Sequence, residues 1–85
     1  MEIIFTPEAR AHLAYWQENG NVTVHDKISE LLKSIRETPF TGIGKPERLK
    51  HNLAGKWSRR INREHRIVYQ VKENSIYIYS LKGHY

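Results

Sequence analysis

The stretch WSRRINREHRIVYQVKENSIYIYSL, residues 57–81, decides the fold because it contains three short runs of strand-forming residues. Alternating polar and apolar positions, with many β-branched and aromatic side chains, predict strands at Trp57–Asn62, Arg66–Val71 and Ser75–Leu81. Only three residues separate each run from the next. Connections this short can join neighbouring strands only as antiparallel hairpins, so we expect an antiparallel sheet.

Two helical patterns precede these strands. Thr6 is a candidate N-cap and Pro7 suits the first helical position, so a helix is predicted to run to about Asn19, with Gly20 as its left-handed C-cap residue. Its apolar face should use Ala9, Leu13 and Trp16, with Tyr15 alongside.

A second helix is predicted to begin near Thr23, with Asp26 three residues later in capping-box-like spacing. Its apolar residues recur at the helical period, and Thr38-Pro39 should end it because proline disfavours helical geometry in the preceding residue. The apolar residues are Val24, Ile28, Leu31, Leu32 and Ile35.

These elements predict an α+β fold in which two N-terminal helices pack on one face of a small antiparallel sheet. Two further segments are candidate strands of that sheet, Glu2–Phe5 at the start of the chain and Glu47–Lys50 at an edge. With 85 residues, we expect a single domain spanning residues 1–85.

Composition excludes several classes of protein. The chain has no cysteine, so it has no disulfide framework and no thiolate nucleophile or metal ligand. No apolar run is long enough for a signal peptide or a membrane span, and we expect a cytoplasmic protein. The five histidines lack the spacings of zinc sites, so neither a metal nor another cofactor is predicted.

Charge is unevenly distributed along the chain. Residues 1–42 carry four Lys/Arg against six Asp/Glu, whereas residues 43–85 carry ten against three. The halves therefore have net charges of −2 and +7. A basic half attracts polyanions such as RNA or acidic protein segments, although small domains also carry charge simply as a solvated surface.

The basic half contains a residue set suited to cutting RNA without metal. RNA supplies its own nucleophile, the 2′-hydroxyl, so a protein need add only a base, an acid and a cation for the transition state. Glu47, Arg66 and His84 can fill these roles, and they lie on segments that a sheet can bring together. Lys45, Lys50, Arg60 and Arg59 are candidate RNA contacts, and Tyr85 a candidate base-stacking residue.

Each of these side chains also has a structural interpretation. Glu47 could be a solvated carboxylate balancing nearby lysines, and Arg59 an exposed strand residue that blunts aggregation. His84 could fray with the terminus, and Tyr85 could cap the core. Strand alternation places Arg59 and Arg60 on opposite faces of the sheet. It also places Arg66 on the face away from the more apolar set, which is His65, Ile67, Tyr69 and Val71.

Several motifs occur in a characteristic order. Together they closely resemble, almost end to end, the YoeB-like (Txe) toxins of bacterial type II toxin–antitoxin systems, within the RelE group. The motifs are YWQ at 15–17, TPF at 38–40, GKPE at 44–47, LKHNLAGKWSRRI at 49–61, EHR at 64–66 and the closing HY at 84–85.

The resemblance implies a RelE-like, microbial-ribonuclease-like fold and an endoribonuclease that cuts mRNA in the ribosomal A site. It implies Glu47 as general base, Arg66 as transition-state cation and His84 as general acid, with Lys50, Arg60 and Tyr85 in support. Gly83 departs from the family, since several relatives have a bulkier residue there, so we expect a less constrained approach of His84.

Partners follow from the same resemblance and the same basic surface. We expect the ribosome, mRNA and an acidic antitoxin of YefM type to bind, with a homodimer as a further option. Two rival hypotheses draw on the same charges: a noncatalytic RNA or ribosome binder that blocks translation by occupancy, and a protein-interaction module.

Overall fold

The computed structural model describes residues 1–19 and 21–83, in which two α-helices and five strands follow one another. The helices are α1, Pro7–Glu18, and α2, Val22–Glu37, and a one-turn 3-10 helix spans His51–Leu53. The strands are β1, Glu2–Phe5; β2, Glu47–Arg48; β3, Trp57–Arg60; β4, Arg66–Lys72; and β5, Ser75–Ser80. None of the described helices combines the length and apolar character needed to cross a bilayer.

The five strands form one sheet in the order β1-β5-β4-β3-β2. Strands β2 to β5 pair antiparallel, as predicted, but β1 joins β5 in parallel, with Ile3 opposite Ile76. The sheet is therefore mixed rather than wholly antiparallel. Both helices and three strands separate β1 from β5 along the chain, so no tight turn imposes antiparallel pairing on them.

Side-chain caps set where the helices begin. The Thr6 hydroxyl accepts from the Ala9 amide at 3.2 Å, and Pro7 is the first residue of α1, which confirms that prediction. The prediction for α2 was wrong by a short distance. Asn21 is the N-cap, its Oδ1 accepting from the Val24 amide at 3.1 Å, so the helix begins before Thr23.

The helices end close to the predicted positions. Thr38 caps α2, its amide donating to the Ser34 carbonyl at 2.8 Å, and Pro39 follows directly. For α1 the cap is Asn19, while Gly20 lies outside the described residues.

The core lies between the two helices and one face of the sheet. Ile67 and Tyr69 of β4 have no exposed surface, which confirms that their face of the strand is the core face. Each such side chain contributes about 1.5–3 kcal/mol by leaving water. The partners of these residues in the buried cluster include Ile28, Leu31 and Ile35 from α2, Ala9 and Trp16 from α1, and Ile76 and Ile78 from β5. Arg66 therefore emerges on the face of the sheet that the helices leave open.

Candidate active site

A groove of about 180 Å³ lies on the open face of the sheet and is lined mainly by charged side chains. Strand register brings its residues together, because Glu47 lies opposite Ser58 and Arg60 lies opposite Arg66. Glu47 and Arg66 thus line one groove although they are nineteen residues apart in the chain. The full lining is Lys45, Pro46, Glu47, Ser58, Arg60 and Arg66.

The Arg66 guanidinium is oriented by backbone carbonyls of the turn that precedes its strand. Its Nη1 donates to the carbonyl of Asn62 at 3.1 Å and, more weakly, to that of His65 at 3.4 Å. In the described part of the chain no carboxylate pairs with this half-buried side chain. The charge is therefore not neutralised there, and the remaining N–H donors are available to an anion such as a phosphate.

The segment that carries Glu47 is pinned to β3 on both sides. The Arg60 amide donates to the Gly44 carbonyl at 2.7 Å before β2, and the Leu49 amide donates to the Lys56 carbonyl at 3.0 Å after it. Gly44 has φ +81°, and a Cβ there would come within 2.6 Å of Leu31 Cδ2. Only glycine fits this approach without a shift, so the packing of α2 fixes where the exposed Glu47 carboxylate is presented.

The residue that precedes His84 is held beside Arg66. The Arg66 amide donates to the Gly83 carbonyl at 3.2 Å, and the Gly83 amide donates to His65 Nδ1 at 2.8 Å. His84 and Tyr85 themselves lie outside the described residues, so their predicted roles stay predictions.

The predicted RNA contact by Arg59 was wrong, because its side chain has no exposed surface. Alternation turns it to the core face, opposite to Arg60, and its N–H groups are consumed by internal acceptors. These acceptors are Tyr69 Oη at 3.1 Å, Ser34 Oγ at 2.7 Å, and the carbonyls of Ile43 at 3.1 Å, Thr38 at 2.6 Å and Thr41 at 2.7 Å. Arg59 therefore organises the loop that leads into the groove.

Among residues 1–19 and 21–83, His12 and Tyr69 have shifted pKa values. Burial lowers the pKa of His12, an effect that Glu8 opposes and Lys82 reinforces. Burial raises the pKa of Tyr69, although its hydrogen bond with Arg59 acts in the opposite direction. Both groups lie away from the groove. Within residues 1–19 and 21–83, no cluster of three or more His, Asp or Glu side chains is placed to hold a metal ion.

Comparison with known proteins identifies the family. A sequence model described as "YoeB-like toxin of bacterial type II toxin-antitoxin system" matches residues 5–85. The chain belongs to this family of toxins. Its curated relative Toxin YoeB from Escherichia coli (strain K12) is 51% identical over 85 residues, which is 100% of both chains.

Solved structures of YoeB proteins share the fold of this family member. The YoeB–YefM complex from Staphylococcus aureus contains a chain that superposes with a TM-score of 0.90 at 52% identity, covering 100% of this chain and 98% of that one. The YoeB dimer from the same organism gives a TM-score of 0.91 at 51% identity, with the same coverage. The predicted α+β class is therefore confirmed.

In this YoeB-like chain the open face extends beyond the groove into a larger depression of about 510 Å³. Val68 lines the depression and pairs with Ser58, which lines the groove, so the depression and the groove adjoin each other. Lys56 Nζ lies 4.6 Å from the centroid of the Tyr79 ring, and Tyr79 Oη donates to Gln70 Oε1 at 2.9 Å. Sequence reasoning missed Lys56 and Tyr79, although the alternation of Tyr79 with the buried Ile78 would have placed this ring on the open face.

Lys50 lies near a second depression beside the groove. This depression of about 360 Å³ is also lined by Arg48, Lys56 and Trp57. Trp57 is half-buried, and its ring packs against Phe40 at 4.9 Å between centroids. Basic side chains thus surround the groove on several sides in this toxin.

Proposed function

We propose that this protein is a single-domain endoribonuclease that cuts mRNA in the ribosomal A site without a metal ion and so inhibits translation. The proposal rests chiefly on one observation, that Glu47 and Arg66 line the same groove on the open face. This gives a carboxylate and a guanidinium within one site, and the Arg66 amide is hydrogen-bonded to the Gly83 carbonyl. Membership of a toxin family supports a role in growth inhibition.

The reaction would proceed by attack of the substrate's own 2′-hydroxyl. Glu47 accepts the proton of that hydroxyl, and the 2′-oxygen forms a bond to phosphorus. Arg66 stabilises the extra negative charge on the phosphate oxygens through its planar N–H groups. The bond from phosphorus to the 5′-oxygen then breaks, and His84 donates a proton to this leaving oxygen. The products are a 2′,3′-cyclic phosphate, which can open to a 3′-phosphate, and a 5′-hydroxyl end.

Chain geometry supports the assignment of His84 as the acid. Gly83 is hydrogen-bonded to the backbone of Arg66, and consecutive Cα atoms lie only about 3.8 Å apart. His84 directly follows this hydrogen-bonded residue in the chain, and we propose that its imidazole reaches the phosphate site. Histidine side chains ordinarily lose their proton at about pH 6.5, which suits proton donation near neutral pH.

Basic residues around the groove would hold the RNA strand in place. Lys45 and Arg60 line the groove itself, and Lys50 lies beside it. Tyr85 is proposed to stack on a base. The adjoining depression with Lys56 and Tyr79 offers a cation and an aromatic ring to the neighbouring nucleotide.

An acidic antitoxin of YefM type is the proposed protein partner, because the similar Staphylococcus aureus protein is found in a complex with YefM. An extended acidic segment would be attracted to the same basic groove and would block it. A homodimer is also proposed, following the YoeB dimer of that organism. We place the activity in the cytoplasm, where ribosomes translate.

The catalytic roles can be tested by single-turnover cutting of mRNA on purified ribosomes. Glu47→Gln, Arg66→Ala and His84→Ala should each slow cutting by about 100-fold or more, with ribosome binding largely retained. Lys72→Ala is the matched control, since Lys72 lies at the far end of β4 from Arg66 and should leave the rate unchanged. Full cutting by all three variants would refute the assigned roles.

A further inference from the structure

Three ring side chains hold the segment of residues 81–83, which leads into His84. The Leu81 amide donates to His12 Nδ1 at 3.1 Å, and the Leu81 carbonyl accepts from Trp16 Nε1 at 2.9 Å. Two residues later, the Gly83 amide donates to His65 Nδ1 at 2.8 Å. Successive backbone groups of one short segment are thus held by side chains from α1 and from the turn before β4. We refer to His12, Trp16 and His65 as the terminal clamp.

The terminal clamp is itself firmly packed. Trp16 is 6% exposed and Leu81 has no exposed surface. The Trp16 ring meets the His65 ring edge-on, with 4.8 Å between centroids and 78° between planes. Because the Trp16 and His65 rings contact one another as well as the chain, these two rings support the segment together, and His12 adds a separate hydrogen bond to Leu81.

Both histidines must be neutral to make these hydrogen bonds. An imidazole nitrogen accepts a hydrogen bond only when it carries no proton, so the proton of each ring resides on Nε2. A protonated ring has donors at both nitrogens and would repel the backbone N–H that now points to it. His84 has the opposite requirement in the proposed reaction, since an acid must carry a proton.

We propose that His12 and His65 are positioning residues, which fix residues 81–83 through their Nδ1 atoms and so hold the terminal acid at the scissile phosphate. This inference rests on the proposed function, because it assigns the clamp to the presentation of His84. Neither histidine lines the groove with Glu47 and Arg66, so neither contacts the reacting atoms.

The clamp should make activity sensitive to acid. Burial lowers the pKa of His12, and of the charged groups that face it, Glu8 raises this pKa and Lys82 lowers it. The charged residues Glu64 and Arg66 flank His65 in the chain, and Arg66 Nη1 donates to the His65 carbonyl at 3.4 Å. Since the folded His12 resists protonation, its contribution to stability is complete above about pH 6.5 and is lost as the pH falls through the lower folded value.

Matched substitutions separate the hydrogen bond from the packing. Asparagine places an oxygen where histidine has Nδ1 and does not titrate, whereas phenylalanine keeps the ring and removes the acceptor. His65→Phe should lower the single-turnover rate by about tenfold or more, because small misplacements of catalytic groups have large effects. Ribosome binding and the circular dichroism spectrum should be unchanged. His65→Asn should recover most of this rate, and the double variant His12→Asn/His65→Asn should extend activity to lower pH.

Equal cutting rates for His65→Phe and wild type would overturn the positioning role. The role would also be overturned if the cutting rate of the double asparagine variant fell with decreasing pH in the same way as that of the wild type.

A measurement without RNA keeps the inference separate from the proposed function. In ¹⁵N NMR spectra at neutral pH, His12 and His65 should be neutral with the proton on Nε2, and the Gly83 amide should exchange slowly. In His65→Phe the Gly83 amide should exchange at least about tenfold faster. Protonated Nδ1 atoms or a rapidly exchanging Gly83 amide in the wild type would refute the clamp, whereas failure of the wild type to cut mRNA would refute the proposed function alone.

Discussion

Two consecutive arginines, Arg59 and Arg60, have opposite roles because neighbouring residues of a strand face opposite sides of the sheet. Arg60 is exposed and lines the groove, whereas Arg59 is fully buried and, in the part of the chain that the structure describes, has no carboxylate partner. A buried cation is tolerated there because five oxygen atoms surround its guanidinium. Three of them are backbone carbonyls of residues 38–43, so this one side chain organises the loop between α2 and the groove.

We therefore expect Arg59→Met to lower the free energy of unfolding by about 3–5 kcal/mol, since it leaves several buried carbonyls unpaired. Arg60→Met is the matched control and should change stability by less than about 0.5 kcal/mol, because its side chain is exposed. Urea denaturation of both variants measures the difference. Similar stability of the two variants would show that the internal hydrogen bonds of Arg59 contribute little.

Sequence alternation predicted that Arg59 and Arg60 face opposite sides, but it could not predict which of them faces the core. The acceptors of Arg59 come from Ser34 on α2, from the loop 16–21 residues upstream and from Tyr69 on the next strand. Such a set forms only when the chain has folded. A local pattern of charge therefore assigned Arg59 to the surface, as it would most arginines.

Among the elements, helix α2 has two residues near its start that could act as its N-cap. Asn21 and Thr23 both have side chains that can accept from the backbone, and the capping-box-like spacing of Thr23 and Asp26 predicted a start near Thr23. In the structure the helix includes Val22, and Asn21 makes the capping hydrogen bond.

Asn21→Ala should consequently destabilise the protein by about 1 kcal/mol. Thr23→Ala provides the control, and we expect a change of less than about 0.5 kcal/mol because Thr23 lies inside the helix as an exposed residue. Thermal unfolding followed by circular dichroism at 222 nm compares the two. If Thr23→Ala had the larger effect, the assigned start of α2 would be incorrect.

Most strands were predictable to within two residues, because alternation along β3, β4 and β5 is set locally. The parallel pairing of β1 with β5 was not predicted, since it joins segments more than seventy residues apart and leaves no local signal. The same limit applies to the groove. Register places Glu47 and Arg66 together, and register depends on how β2 finds β3 across the intervening loop.

For the molecule as a whole, the fold converts a charge bias along the sequence into a charged surface. The second half of the chain has a net charge of +7, and strand register collects Lys45, Arg60 and Arg66 around one groove, with Lys50 beside it. A strand of RNA that contacts these four cations would release bound counterions, so its affinity should fall steeply with salt.

With four such contacts, log affinity should fall with log salt at a slope of about −2.8, or about 50-fold between 50 and 200 mM salt. Arg60→Met should reduce the slope to about −2.1. Fluorescence anisotropy with a short RNA that lacks 2′-hydroxyls measures binding without cutting. A slope that is unaffected by Arg60→Met would exclude this arginine from the RNA contact.

The central claim, that the groove cuts mRNA by attack of the 2′-hydroxyl, is tested most directly by mapping mRNA ends after the protein is added to a translation reaction. We predict new ends within the message, with a 2′,3′-cyclic phosphate or 3′-phosphate on one fragment and a 5′-hydroxyl on the other. Blocked translation with an intact message would contradict the claim and would favour a noncatalytic binder instead.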